Sequence, residues 1–253
     1  MKKLMTRKEV TMFDFGFDKK NLIIVLCVIA GLWIAAGGSY FLFDTFLTLP
    51  GIIIALTFHE FAHAWAAVKL GDETPKIQGR LNLNPLSHID PMGFLFLIVA
   101  RFGWGKPVQI DPRNFNSKHP ISRAEAIVSA AGPIMNFILA FIFLIIYYAI
   151  YKTTDMNSIE SIWQLVLGYI IMLNVGLGIF NLIPIPPLDG SKILMHFLPY
   201  NGKQWFYKNE RYFYIAFLLI LITNTSKYIT NPIIGATYNG IAWIVETGFK
   251  LLI

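Results

Sequence analysis

The sequence predicts an all-α polytopic membrane protein with five to six transmembrane helices. Hydrophobic residues make up 55% of the 253 positions and charged residues only 14%, against roughly 25% charged in soluble domains. Mean hydropathy is +0.56. Several runs reach the roughly 20 apolar residues a bilayer-spanning helix needs. The 21 Lys and Arg residues sort by loop.

Residues 1–20 hold six basic residues and lead into the first apolar run, Leu22–Leu42, with no A-x-A-like cleavage site. A retained span is expected there in place of a signal peptide. Cys27, the only cysteine, lies inside that run and can form no intrachain disulfide. The turn 43–48 carries no basic residue, and Leu49–Leu70 is the second span. Residues 69–123 hold eight basic residues, Ala124–Tyr151 is the third span, and only Lys152 follows it before the fourth, Ile162–Ile183. Residues 184–211 hold four, and Tyr212–Thr223 with its flanks is the fifth span. Pro232–Ile253 is apolar but carries Asn239, Glu246 and Lys250, which leaves a sixth span and an interfacial helix both open.

Basic loops thus alternate with nearly uncharged ones. By the positive-inside rule the N-terminus, the loop 71–123 and the loop 184–211 are cytoplasmic. The net charge of +6 is spent on orientation, and the spans exclude a soluble nucleic-acid binder. The loop Gly71–Arg123 lacks a helical period but contains β-like pieces, Lys76–Leu83 and Gly103–Ile110, bounded by Gly, Pro and Asn. Between them Met92–Phe102 reads short for a separate membrane pass.

Inside the second span stands Phe58-His59-Glu60-Phe61-Ala62-His63, an HExxH motif where titratable side chains are costly. At 3.6 residues per turn His59 and His63 share one helix face and can share one tetrahedral ion. Glu60 points aside, placed to take a proton from water activated by that ion. A third ligand must come from another segment. The fourth span ends in Asn181-Leu182-Ile183-Pro184-Ile185-Pro186-Pro187-Leu188-Asp189-Gly190, where the prolines stop the helix and an extended chain with an unusual angle at Gly190 is expected. Asp189 is favoured because a dication, one carboxylate and one hydroxide sum to zero, the least costly total in low dielectric.

HExxH in one span, Ala131-Gly132-Pro133-Ile134-Met135-Asn136 in the next and Asn181 through Gly190 at the end of a third together resemble the site-2 protease family of intramembrane zinc metalloproteases. The resemblance covers about Leu49–Leu198. Gly71-Asp72, Leu81-Asn82-Leu83-Asn84-Pro85, His88-Ile89-Asp90-Pro91 and Gly103-Trp104-Gly105-Lys106-Pro107-Val108 are similar to the short bacterial and archaeal members, without a PDZ or CBS domain. Ser191 departs from the second Gly that many relatives carry. The resemblance implies a three-helix core holding Zn2+ through His59, His63 and Asp189, with Glu60 as general base. It also implies regulated cleavage of transmembrane protein or peptide substrates drawn from the lipid bilayer of a prokaryotic plasma membrane, on its cytoplasmic side. The domains expected are 1–48, the cytoplasmic N-terminus and first helix; 49–198, the metalloprotease core; and 199–253, the C-terminal helices.

Blander readings stand beside these. HExxH could line a transporter cavity, or the chain could be a catalytically silent scaffold. Asp189 could be a turn-forming residue before Gly. Asn136 is expected either to donate to the substrate carbonyl or developing oxyanion, or to be interhelical glue, and Asn181 is the weaker case of the same substrate-binding role. His88 and His119 read as structural or solvated, and nothing makes His196 a ligand. The β-like loop offers an edge for an unwound substrate strand, or is an ordered cover over the site. Oligomeric state is not encoded legibly.

Overall fold

The computed structural model describes residues 38–100, 103–116, 118–153, 158–223 and 226–251, together with Gly31. The expected first span, Leu22–Leu42, and Cys27 lie largely or wholly outside the described residues. Ten α-helices and no strand occur among those described: α1 Gly38–Lys69, α2 Thr74–Ile77, α3 Pro85–His88, α4 Pro91–Ala100, α5 Ile121–Thr153, α6 Ser158–Asn181, α7 Asp189–Phe197, α8 Tyr200–Lys208, α9 Glu210–Ile222 and α10 Ser226–Leu251.

Among the described residues, three stretches are long and apolar enough to cross a membrane: Phe43–Lys69 in α1, Ile121–Ile150 in α5 and Ile162–Asn181 in α6. They match the second, third and fourth expected spans. The fifth corresponds to a 13-residue helix, α9, about 20 Å long at 1.5 Å per residue. The tail belongs to a 26-residue helix, α10, whose Asn, Thr, Glu and Lys keep it outside the three apolar ones.

The core joins α5, α6 and α10. Ala140 and Leu144 of α5 meet Ile171, Val175 and Ile179 of α6 and Val245 of α10, all buried. A smaller cluster, Ala66, Ala67 and Val128, binds the end of α1 to α5. Alanines on that face of α1 let its backbone come close to its neighbour, as small residues do between membrane helices. Gly51 does the same against α6: a Cβ there would stand 3.1 Å from the Ile170 Cα and 2.8 Å from a Leu173 methyl. Tyr169 of α6 donates its hydroxyl to Asp44 of α1.

The loop 71–116 is closed on itself by polar bonds. Gly71 turns the chain out of α1 at φ +107°, a conformation other residues adopt rarely, and Asn116 N–H donates to the Leu70 carbonyl at 2.8 Å. Fully buried Asp72 accepts from Thr74 N–H and Oγ1, Asn114 Nδ2 and Asp111 N–H. Burial disfavours its charge, but those donors outweigh it and hold the carboxyl below its ordinary pKa. Of the two β-like pieces, Lys76–Leu83 begins as a helical turn and continues through tight turns. Gly103–Ile110 forms neither helix nor turn, with one isolated bridge between Gly105 and Ile89 and a bond from Lys106 N–H to the His88 carbonyl. Local alternation was present in both, but without a facing partner no ladder forms.

Candidate metal centre

His59 and His63 lie one turn apart on α1, buried at 4% and 7% exposure. Asp189 is the first residue of α7, which packs along α5. Between α6 and α7 the chain does not extend as expected. It folds into consecutive turns closed by Ile185 N–H to the Ile183 carbonyl, Leu188 N–H to the Ile185 carbonyl and Ser191 N–H to the Leu188 carbonyl. The prolines forbid helix but favour turns equally well. Gly190 is required for space: a Cβ would overlap the Leu182 carbonyl oxygen. It lies in helical backbone at the start of α7, so the unusual angle is not its reason.

These placements bring three donor atoms together. His59 Nε2 lies 3.0 Å from His63 Nε2, and Asp189 Oδ2 lies 3.2 Å from each. His63 Nδ1 faces the Val128 carbonyl at 2.7 Å, which can only accept, so Nδ1 carries the proton and Nε2 is a bare lone pair. His59 Nδ1 faces the Asn136 Oδ1 at 2.7 Å and is fixed the same way. Three electron-rich atoms therefore converge with no hydrogen of their own between them, an arrangement that needs a positive charge at its centre. A proton can supply it: placed on an imidazole Nε2, it provides the charge and hydrogen bond that, against the cost of burial, hold the Asp189 carboxyl well below the usual range. A zinc ion fits the spacing. Donors at about 2.0–2.1 Å in a tetrahedron stand roughly 3.3 Å apart, close to the three separations found. Among the described residues this is the one group of three His, Cys, Asp or Glu placed to hold a metal.

Gly132 of α5 closes one side. A Cβ there would lie 2.5 Å from His63 Nε2 and 2.6 Å from His59 Cε1, so the absent side chain is what lets both imidazoles stand against this helix. Glu60, 9% exposed, accepts from Val108 N–H through Oε2 at 2.9 Å. The loop thus reaches the motif, and Arg80 secures it by donating to the Ser87 and Lys106 carbonyls.

Asn136 is fully buried and sits behind His59. Its two amide hydrogens go to the Ala55 carbonyl and Asn174 Oδ1, each at 3.0 Å. Both amide hydrogens are thus used between helices, the second of the two roles expected for this residue. Asn181, half-buried at the end of α6, donates back to the Leu177 carbonyl. His88 is fully buried, its Nε2 against the Asn82 carbonyl, and burial pushes its imidazole pKa down. His196 pairs with Ser122 at 3.4 Å, apart from the donors. Sequence reasoning missed Asn174, Gly132 as a wall of the site, and Val108. An amide in the middle of an apolar span was the available signal for the first.

The chain matches the model of Peptidase family M50 over residues 47–154 and 149–223. A Bacillus subtilis (strain 168) protein named "Putative zinc metalloprotease YwhC" is 37% identical over 211 residues, 80% of this chain and 92% of that protein. A Mycolicibacterium smegmatis protein named "Putative zinc metalloprotease Rip2" is 29% identical over 180 residues, 70% of this chain and 67% of its own. The Mycobacterium tuberculosis H37Rv protein of the same name is 28% identical over 182 residues, 69% and 66% of the two chains. No solved structure matches the chain. A donor triangle sized for zinc, with two of its three members on an apolar membrane-length helix, agrees with these matches, and the chain belongs to peptidase family M50, the site-2 protease family of zinc metallopeptidases.

Proposed function

We propose that the chain is an intramembrane endopeptidase that hydrolyses a peptide bond within or beside the membrane segment of a helical substrate. The observation that carries this is the convergence of His59, His63 and Asp189 at 3.0–3.2 Å with Glu60 on the same helix turn. Bound by those three, a zinc ion supplies a Lewis acid that acidifies water and polarises a carbonyl. Glu60 takes the proton of the attacking water on Oε1, which accepts no hydrogen bond among the described residues, and returns it to the leaving amine. The Val108 bond to Oε2 fixes its rotamer.

A membrane helix must unwind before its carbonyls can be attacked, and the segment Gly103–Ile110, outside any helix, offers it backbone. Lys106 and Val108 spend their backbone groups on His88, Arg80 and Glu60, which leaves those of Pro107 and Gln109 as the ones proposed to meet the substrate. Asn181, at the end of α6 beside the turns that lead to Asp189, is the side chain proposed to meet the substrate. The basic loops put this side of the helices in the cytoplasm.

The test is the zinc content of detergent-purified wild type, Asp189→Ala and Glu60→Gln, with cleavage of a single-span model substrate followed in the same samples. About one zinc per chain is expected in the wild type, lost in Asp189→Ala and kept by an inactive Glu60→Gln. Metal loss in Glu60→Gln would overturn the assignment of the base.

A further inference from the structure

Three side chains on three helices form a hydrogen-bonded chain with one direction. Asn174 of α6, fully buried, donates Nδ2 to the Ile170 carbonyl at 2.8 Å. A backbone carbonyl cannot donate, so the oxygen of this amide is the end that faces α5. There it accepts from Asn136 Nδ2 at 3.0 Å. The second hydrogen of that nitrogen goes to another backbone carbonyl, Ala55 of α1 at 3.0 Å, which fixes the Asn136 amide in turn. Its oxygen must then face His59 Nδ1, at 2.7 Å, and the imidazole must carry its proton there. Two carbonyls at the ends of the chain thus remove every flip and tautomer ambiguity in between.

We propose that Asn174 is a positioning residue for the metal centre: through Asn136 it fixes His59 as the Nδ1–H tautomer with its Nε2 lone pair on the metal position, and so sets zinc affinity. This rests on the reading of His59, His63 and Asp189 as the ligands. Asn136 turned by half a revolution would present N–H to N–H at His59 and expel the imidazole from its place. Asn174 opposes that turn together with the Ala55 carbonyl, because both accept from the Asn136 nitrogen and neither could accept from its oxygen. The residue also joins the helix that leads to Asp189 to the helix that holds the two histidines, so the third ligand and the first are registered through one buried path. Partners that orient a ligating imidazole commonly govern metal affinity by about 10–100-fold.

The experiment measures the zinc dissociation constant of the full chain in detergent by competition with a chromophoric chelator, alongside the visible spectrum of the cobalt-loaded protein. Asn136→Leu is expected to weaken zinc by about 10–100-fold and Asn174→Leu by about 10-fold, while Asn174→Asp, which as the neutral acid donates to the Ile170 carbonyl and still accepts from Asn136, stays within about twofold of the wild type. At saturating zinc, Asn174→Leu recovers most of its turnover. If Asn174→Leu does not accumulate folded, Asn174→Ala removes the same acceptor and reads the same way. Wild-type affinity in the acceptor-deleting Asn174 variants overturns the proposal, as does an Asn136→Leu protein with unchanged zinc affinity and lowered turnover, which would make Asn136 a direct partner of the substrate. A wild type that binds no zinc would instead overturn the ligand reading itself.

Discussion

The backbone N–H of Val108 donates to Glu60 Oε2 at 2.9 Å, so a loop 48 positions downstream completes the motif on α1. The helix alone places Glu60 beside the two histidines, but the loop chooses which of its oxygens stays open for the proposed proton transfer. A hydrogen bond to a charged acceptor contributes about 1.5–3 kcal/mol. Val108→Pro, which removes the donor, is expected to lower turnover about tenfold or more with zinc retained, whereas Val108→Ala keeps the N–H and remains near wild type. Equal losses in the two variants would assign the effect to side-chain packing.

Gly132→Ala tests the wall of the centre. The added methyl would lie 2.5 Å from His63 Nε2, well inside van der Waals contact, and it is attached to a helix held by the α5–α6 core. Substoichiometric zinc and lost cleavage are expected from elemental analysis and substrate assays on the folded variant. Full zinc occupancy with wild-type turnover would show that α5 can retreat.

Asp72 gives the loop a pH dependence of definite sign. Its carboxyl is depressed in the folded state, so its contribution is complete above the unfolded value of about 3.9 and is lost as pH falls through the lower folded value. Thermal unfolding in detergent should show wild-type stability dropping below about pH 4, with a flatter profile in Asp72→Asn. At neutral pH, Asp72→Ala strands the Thr74, Asn114 and Asp111 donors and is expected to cost about 1–3 kcal/mol. A pH profile identical in wild type and Asp72→Asn would remove the carboxylate from this account.

Zinc should stabilise the fold as well as serve the reaction. A ligand present at about a thousand times its dissociation constant adds roughly 4 kcal/mol to the folded state. Chelation is therefore expected to lower the unfolding midpoint of the wild type and leave that of Asp189→Ala unmoved. A chelator effect of equal size in both would mean that the metal is held elsewhere.

What was legible in the sequence was local. His59, Glu60 and His63 are set by helical spacing alone, and Asp189 stood out because prolines interrupt the apolar run before it. The three long apolar spans of α1, α5 and α6 follow from composition. What escaped depends on partners far along the chain. Asn136 was singled out, but its work could be read only once Ala55, Asn174 and His59 were seen around it, and no spacing rule links position 174 to position 59. Gly132 and Val108 act through a missing methyl and a backbone N–H, neither of which side-chain chemistry advertises. The β-like alternation of Lys76–Leu83 and Gly103–Ile110 was real, but pairing is a property of two segments, and only one bridge is made between Gly105 and Ile89.

The donors of the centre are also separated in the time of their making. His59 and His63 enter the bilayer with α1 early in synthesis, Gly132 and Asn136 follow on α5, and Asp189 leaves the ribosome only after α6. Until that last carboxylate swings into place, the growing chain holds two imidazoles and no complete set of ligands. The order of the motifs therefore makes the centre a late product of synthesis: no metal can find its three ligands until α1, α5 and α6 have all been made.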